Sequence, residues 1–348
     1  MSASADDLPK PASPDDALPP VEPPSAGFIV QLFVVPMVIV VIIVGVYLLF
    51  NQLAQMGTDP QKHIAQIRKG GLASWQAAHD LATELRRKAE LRRDPGISSE
   101  LTTLLQNELA KGDTEANAVN LRVFLCKALG EFDRLEGLPA LLQAASAQAD
   151  KPEATPVRLS AVESLALLAS KLHSTGDKPP IMPAEEAAAP LAVISAGLVD
   201  LSHDDDQRMQ STVAFALGVV GDEKALARLR GMVVSAEPDV RFNAATGLAR
   251  WGDTACLPVL EEMIDPQALK EATEKEEKSA QEFKQVQIMV NGLRAARQLA
   301  TMNSEADLAS LRRAITKLRE TDNLLGPVEV ELAQALQQLD ARKAVPEK

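Results

Sequence analysis

One leucine frame recurs along this chain: a leucine, eight residues, a second leucine, two residues, a third leucine. It appears at Leu129/Leu138/Leu141, Leu217/Leu226/Leu229, Leu248/Leu257/Leu260 and Leu299/Leu308/Leu311. Placing Leu217 over Leu248, a spacing of 31, superposes LGVVGDEKALARL on LARWGDTACLPVL, with Gly-Asp at the same place in both. Self-similarity at such a period marks an architecture made by stacking one small unit. A single unit cannot bury its own apolar face, so each must be covered by its neighbours.

The residues before the frame say what the unit is. An apolar residue followed by arginine stands seven positions ahead of a leucine at Leu121-Arg122, Val157-Arg158 and Val240-Arg241. Paired alanines precede Leu81, Leu248 and Leu299 at Ala77-Ala78, Ala244-Ala245 and Ala295-Ala296. Offsets of three and four residues put the alanines on the leucine's side of a helix, where small side chains let a second helix approach. Aromatic residues are only 3% of the chain, so its apolar surface suits helix packing better than sheets. The body is predicted to be all-α.

The combination is clearest in EPDVRFNAATGLARWGDTACLPVLEEMI, from Glu237 to Ile264. It resembles the HEAT family, and in particular the shorter HEAT-like repeats of phycobilisome-lyase type. The resemblance implies antiparallel helix pairs stacked into a right-handed α-solenoid of about six to seven units. Second helices are expected near 72–92, 114–130, 156–171, 207–219, 238–250, 281–300 and 327–340. Arg122, Arg158 and Arg241 are either a ladder on the concave face or structural. In HEAT-like units the matching arginine pairs with acids of the adjacent turn, here for example Asp239.

Two insertions interrupt the repeat domain, which is placed at 60–340. Residues 172–186 carry Pro179, Pro180 and Gly176, which oppose helix and predict a loop. Residues 265–284 include KEATEKEEKSAQEFK, helix-forming and charged all round, which predicts a solvated extension of one helix. A short C-terminal tail, 341–348, follows.

Ahead of the repeats, Gly27 to Phe50 reads GFIVQLFVVPMVIVVIIVGVYLLF, without a charged side chain. At ~1.5 Å per residue this run is long enough to cross a hydrocarbon core of about 30 Å. Proline is tolerated in spanning helices, and Pro36 predicts a kink. A cleaved signal peptide fits poorly: the preceding residues are acidic and no A-x-A-like site follows Phe50. Residues 1–26 are rich in Pro and Asp and are expected to be disordered; residues 51–59 read as a short linker. The tail has one basic residue, Lys10, whereas Lys62, Arg68 and Lys69 follow the run. That bias favours a single-pass protein with a cytoplasmic body, although long domains cross irrespective of charge and the opposite topology stays open. The run has no small-xxx-small glycine motif that would pair anchors, and the oligomeric state is left open.

The chain has 36 Lys+Arg against 48 Asp+Glu, net −12, which argues against nucleic-acid binding. One basic cluster, Arg86, Arg87, Lys88, Arg92 and Arg93, is a candidate contact for a partner or for lipid headgroups. His203 precedes Asp204, Asp205 and Asp206, but adjacent residues point in different directions, so helix-start acids explain the run better than a metal site. His63, His79 and His173 lie outside any catalytic or metal-ligand pattern, and no phosphate-binding or hydrolase motif occurs. Cys126 and Cys256 read as unpaired core thiols; Trp75 and Trp251 read as packing residues between repeats. No cofactor is implied. The sequence therefore predicts a non-enzymatic, membrane-anchored scaffold that binds proteins. A structural subunit of a larger membrane complex is the alternative, and a chromophore-lyase-like enzyme is a remoter one implied only by the resemblance.

Overall fold

The computed structural model describes residues 25–55, 59–147, 150–173, 179–321 and 324–343, and the chain divides into two units, Met1–Thr58 and Asp59–Lys348. The Pro-rich stretch 1–24, residues 56–58 of the linker, residues 174–178 of the first insertion and residues 344–348 lie outside the described residues, whereas residues 51–55, expected as linker, continue the apolar helix.

The first unit is the apolar helix. It begins as α1 (Ala26–Ile29), widens into a π-helical stretch at Val30–Val34 and continues as α2 (Val35–Gln55). Pro36, read as a kink, thus sits just after a π turn. A proline ring collides with the carbonyl four residues back, here Leu32, and the wider turn makes room for it. Every side chain from Val30 to Phe50 is exposed. Among the described residues this is one helix long and apolar enough to cross a membrane.

The second unit is helical throughout its described residues. The helices α3 (Pro60–Lys69) and α4 (Leu72–Arg87) form the first pair. After the short α5 (Ala89–Arg92), α6 (Pro95–Lys111) pairs with α7 (Ala116–Glu131), and α8 (Leu138–Ser146) with α9 (Thr155–Leu172). Then α10 (Ala184–Leu201) pairs with α11 (Gln207–Val220), and α12 (Glu223–Met232) with α13 (Pro238–Arg250). Next, α14 (Leu257–Met263) and the short α15 (Pro266–Ala272) lead into α16 (Lys278–Met302), and α17 (Ala309–Arg319) pairs with α18 (Gly326–Lys343). The second helices stack in chain order: α4 on α7, then α9, α11, α13, α16 and α18. This is an α-solenoid, and its second helices fall near the expected positions, except that the first, expected over 72–92, ends at Arg87, where Lys88 turns extended before α5.

The repeated residues have definite jobs. Leu129, Leu217, Leu248 and Leu299, with Leu141, Leu229, Leu260 and Leu311, are at most 1% exposed, and each buried leucine is worth roughly 1.5–3 kcal/mol. The alanine pairs are buried in α4, α13 and α16, each of which packs on neighbouring second helices. In the Gly-Asp turns the glycine takes a left-handed conformation, φ 66° at Gly221 and 78° at Gly252, which side chains with a Cβ resist. The aspartate then caps the following helix: Asp222 accepts from the Ala225 amide at 2.8 Å and Asp253 from the Ala255 amide at 2.9 Å.

The charged insertion differs from its expectation. It is not one solvated helix: α15 ends at Ala272, a turn follows, and α16 begins at Lys278. Leu269 and Thr273 are buried, and the Thr273 hydroxyl accepts from Gln281 and Gln285, at 3.3 and 2.9 Å. A threonine that bonds to the Leu269 carbonyl one turn back ends the helix and pins the next one.

Candidate functional site

The arginines ahead of the frame turn out to be fasteners. Arg122 is buried and donates to the Ala118 and Asp113 carbonyls; burial lowers its pKa, partly offset by Asp113 and Glu108. Arg158 donates to the Ala145 carbonyl at 2.9 Å, in the last turn of α8, and pairs with Asp204. Arg241 donates to the Ala236 carbonyl and pairs with Glu262 of α14 at 2.5 Å. The carboxylate expected for it, Asp239, instead takes Lys284 at 3.0 Å. Each of these side chains ties the start of a second helix to the chain before it or to a neighbouring unit.

The acids after His203 divide in the same way. Asp204 neutralises Arg158, and Asp206 caps α11 through the Arg208 amide at 2.9 Å.

The basic cluster is mostly engaged too. Arg86 pairs with Glu131 at 2.5 Å and Lys88 lies 3.9 Å from Glu84. Arg92 pairs with Asp133 at 3.1 Å and donates to the Leu85 and Arg86 carbonyls at the end of α4. Arg87 and Arg93 are exposed and form no ion pair among the described residues. The two tryptophans pack between repeats: Trp75 stacks on Phe124 with centroids 5.9 Å apart, and the Trp251 indole lies over Gly221 while its Nε1 donates to the Gly218 carbonyl at 2.9 Å.

The feature that the residue patterns left unread is a groove of about 1010 Å³ across α9, α11, α13 and α16. Phe215, Val219, Phe242 and Met302 supply apolar surface, and Asn243, Asn291 and Gln298 supply hydrogen-bonding groups. Phe215 and Met302 are 44% and 50% exposed, high for side chains of their size. His173, which lies outside any catalytic or metal-ligand pattern in the sequence, stands at this groove: its Nε2 is 2.9 Å from the Val220 carbonyl and its ring meets Trp251 edge-on at 5.3 Å.

The charges of the groove are sorted along it. At the start of α13 and α16, Lys284 sits between Asp239, at 3.0 Å, and Glu276, at 2.6 Å. Burial alone would lower the Lys284 pKa, but the two carboxylates outweigh it and raise it. Further along, Arg294 donates to Glu331 of α18 at 2.7 Å, and Arg297 donates to the other oxygen of that carboxylate at 2.8 Å. Arg250, at the end of α13, is exposed; among the described residues its side chain donates to the Gly218 carbonyl alone, at 3.3 Å, and packing of its inner part lowers its pKa. Among the described residues no group of three or more His, Cys, Asp or Glu is arranged to hold a metal ion.

A family model described as HEAT repeats matches residues 195–275, from α10 to the turn after α15. Two crystal structures of engineered proteins from the Northeast Structural Genomics Consortium are also similar. One is 16% identical, covers 82% of this chain and 99% of its own, and has a TM-score of 0.40. The other is 17% identical, covers 82% and 98%, and has a TM-score of 0.38. No curated protein matches. Residues 195–275 thus match a model of HEAT repeats, and the stacked helix pairs make the body an α-solenoid.

Proposed function

We propose that the protein is a membrane-anchored, non-enzymatic scaffold that binds protein partners through the groove on its stacked helices. The observation that carries this is the groove itself: it crosses four successive second helices and offers exposed phenylalanine and methionine beside amide side chains. Apolar surface flanked by hydrogen-bonding groups is the surface that a peptide segment or a helix face covers. The run from Val30 to Phe50 supports the anchor, because twenty or so apolar, exposed residues are stable in hydrocarbon and costly in water. The likeness to phycobilisome-lyase-type units concerns the packing frame, and no lyase activity is proposed.

The test is site-specific photo-cross-linking in cells that express the full chain. A photoreactive residue at Asn291 or Gln298 is expected to give discrete adducts that Phe215→Asp abolishes. The same residue at Lys224, exposed on α12, is expected to give none of them. Adducts of equal yield at Lys224, or none from the groove, would remove the proposal.

A further inference from the structure

We infer that the groove selects an acidic segment of its partner, a stretch in which aspartates or glutamates stand among aliphatic side chains and one carboxylate seats on Arg250. The inference rests on the reading of the groove as a protein-binding surface and specifies its occupant.

Charge is the first argument. The chain has a net charge of −12, yet among the residues lining the groove the one acid is Asp239. Asp239 lies at the end where α13 and α16 begin and is already held by Lys284. The rest of the groove therefore has Arg250 and Arg294 without an acid in its lining. Arg294 shares the single Glu331 carboxylate with Arg297, so two guanidiniums stand against one negative charge.

Arg250 is the second argument. Arg250 is exposed at the end of α13, and its planar fork of donors is shaped to take a carboxylate through two parallel bonds. None of the described residues supplies it. The one acceptor that Arg250 reaches, the Gly218 carbonyl, already receives the Trp251 indole N–H. Arg250 thus makes a redundant bond within the protein and has donors to spare towards the groove.

The apolar residues settle what accompanies the carboxylate. Phe215, Val219 and Met302 line the same groove, and an occupant that covers them needs aliphatic or aromatic side chains as well as charge. A free small anion or a sugar-phosphate backbone brings charge without aliphatic side chains and would leave Phe215 and Met302 uncovered.

The test pans a phage-displayed random peptide library on the full chain held in detergent micelles. The expected pool is enriched in Asp and Glu over the starting library, with Leu, Ile, Val or Phe between them. Its members are expected to bind Arg250→Ala on the order of tenfold more weakly, about 1.4 kcal/mol, to bind Arg250→Lys with an intermediate loss, and to be weakened by salt. Arg250→Ala leaves the Gly218 carbonyl with its Trp251 partner, so an unchanged melting temperature is expected and serves as the folding control. Selected peptides without acidic enrichment, or acidic peptides that bind Arg250→Ala as well as the parent, would overturn the inference. If such non-acidic peptides are still lost on Phe215→Asp, the groove stands as a protein-binding surface and only its selectivity fails. Capture that ignores Phe215→Asp as well would overturn both.

Discussion

Gly218 of α11 and Gly247 of α13 meet backbone to backbone: a Cβ built on Gly218 would lie 2.5 Å from the Gly247 Cα, and one on Gly247 would lie 2.8 Å from the Gly218 Cα. Neither glycine has a positive φ, so space rather than conformation demands it. This contact joins α11 and α13, whose last turns carry the superposed Leu217 and Leu248.

Gly218→Ala is accordingly expected to destabilise the repeat body by about 1–3 kcal/mol, the usual range for overpacking against atoms that have nowhere to go. Gly197→Ala is the control. There the added methyl meets the far end of the Leu142 side chain, at 2.6 Å, which can rotate aside. Urea unfolding followed by circular dichroism should show the larger loss at Gly218, and equal losses at the two sites would contradict the close-approach argument.

Arg158 and Asp204 form a buried pair, with side chains 3% and 13% exposed. Arg158→Ala leaves the Asp204 carboxylate without its countercharge and the Ala145 carbonyl without a donor, which typically costs about 3–5 kcal/mol. Arg86 pairs with Glu131 but is 61% exposed, and loss of such a pair is worth roughly 1 kcal/mol or less. Thermal denaturation of Arg158→Ala beside Arg86→Ala checks the ranking. A smaller effect at Arg158 would mean that its interaction with Asp204 is not formed.

The solenoid was legible because its signals are packing signals. Leucines, alanine pairs and Gly-Asp turns recur wherever one unit must cover the next, so Leu217 and Leu248 announce themselves. The groove was harder to see because its residues need only point the same way. Asp239, Asn243, Thr246 and Arg250 on α13, with Gln287, Asn291, Arg294 and Gln298 on α16, do follow helical spacing. That polar stripe becomes informative only when α13 and α16 are known to stack side by side. Arg241 shows the same limit: nearness in sequence favoured Asp239, whereas the fold brings Glu262 closer from the next unit. The break after Ala272 escaped the charge pattern because it depends on Thr273 being buried by tertiary contacts.

Cys126 and Cys256 are both buried free thiols whose pKa is pushed up to about 12, chiefly by burial. At pH 8 the native protein is expected to resist iodoacetamide at both positions and to react only as urea unfolds it, because the thiolate is the nucleophile. A raised folded pKa also favours the folded state fully below the ordinary thiol value of 9.0 and progressively less as pH climbs towards 12. Cys126→Ala should therefore lessen the decline in unfolding free energy across that window. Rapid labelling of the folded chain at pH 8 would show that at least one thiol is open to solvent.

The apolar run should decide where the protein resides. Full-length protein is expected to stay in the membrane pellet through alkaline carbonate extraction, and a variant lacking residues 26–55 is expected to move to the supernatant. Val40→Arg with Ile43→Arg should behave like the deletion, since each arginine at the centre of a span costs about 2.5–3.5 kcal/mol on insertion scales. For topology, Ala5→Cys and Thr175→Cys in a Cys126→Ala, Cys256→Ala background can be probed in intact cells with a membrane-impermeant thiol reagent. Lys62, Arg68 and Lys69 after the run, against Lys10 before it, favour labelling at position 5 alone and a body in the cytoplasm. Labelling at position 175 alone would turn the body outward and move the search for its acidic partner to the other side of the membrane. Labelling at both would mean that the run does not span, and the exposed apolar side chains from Val30 to Phe50 would then need a protein surface to cover them.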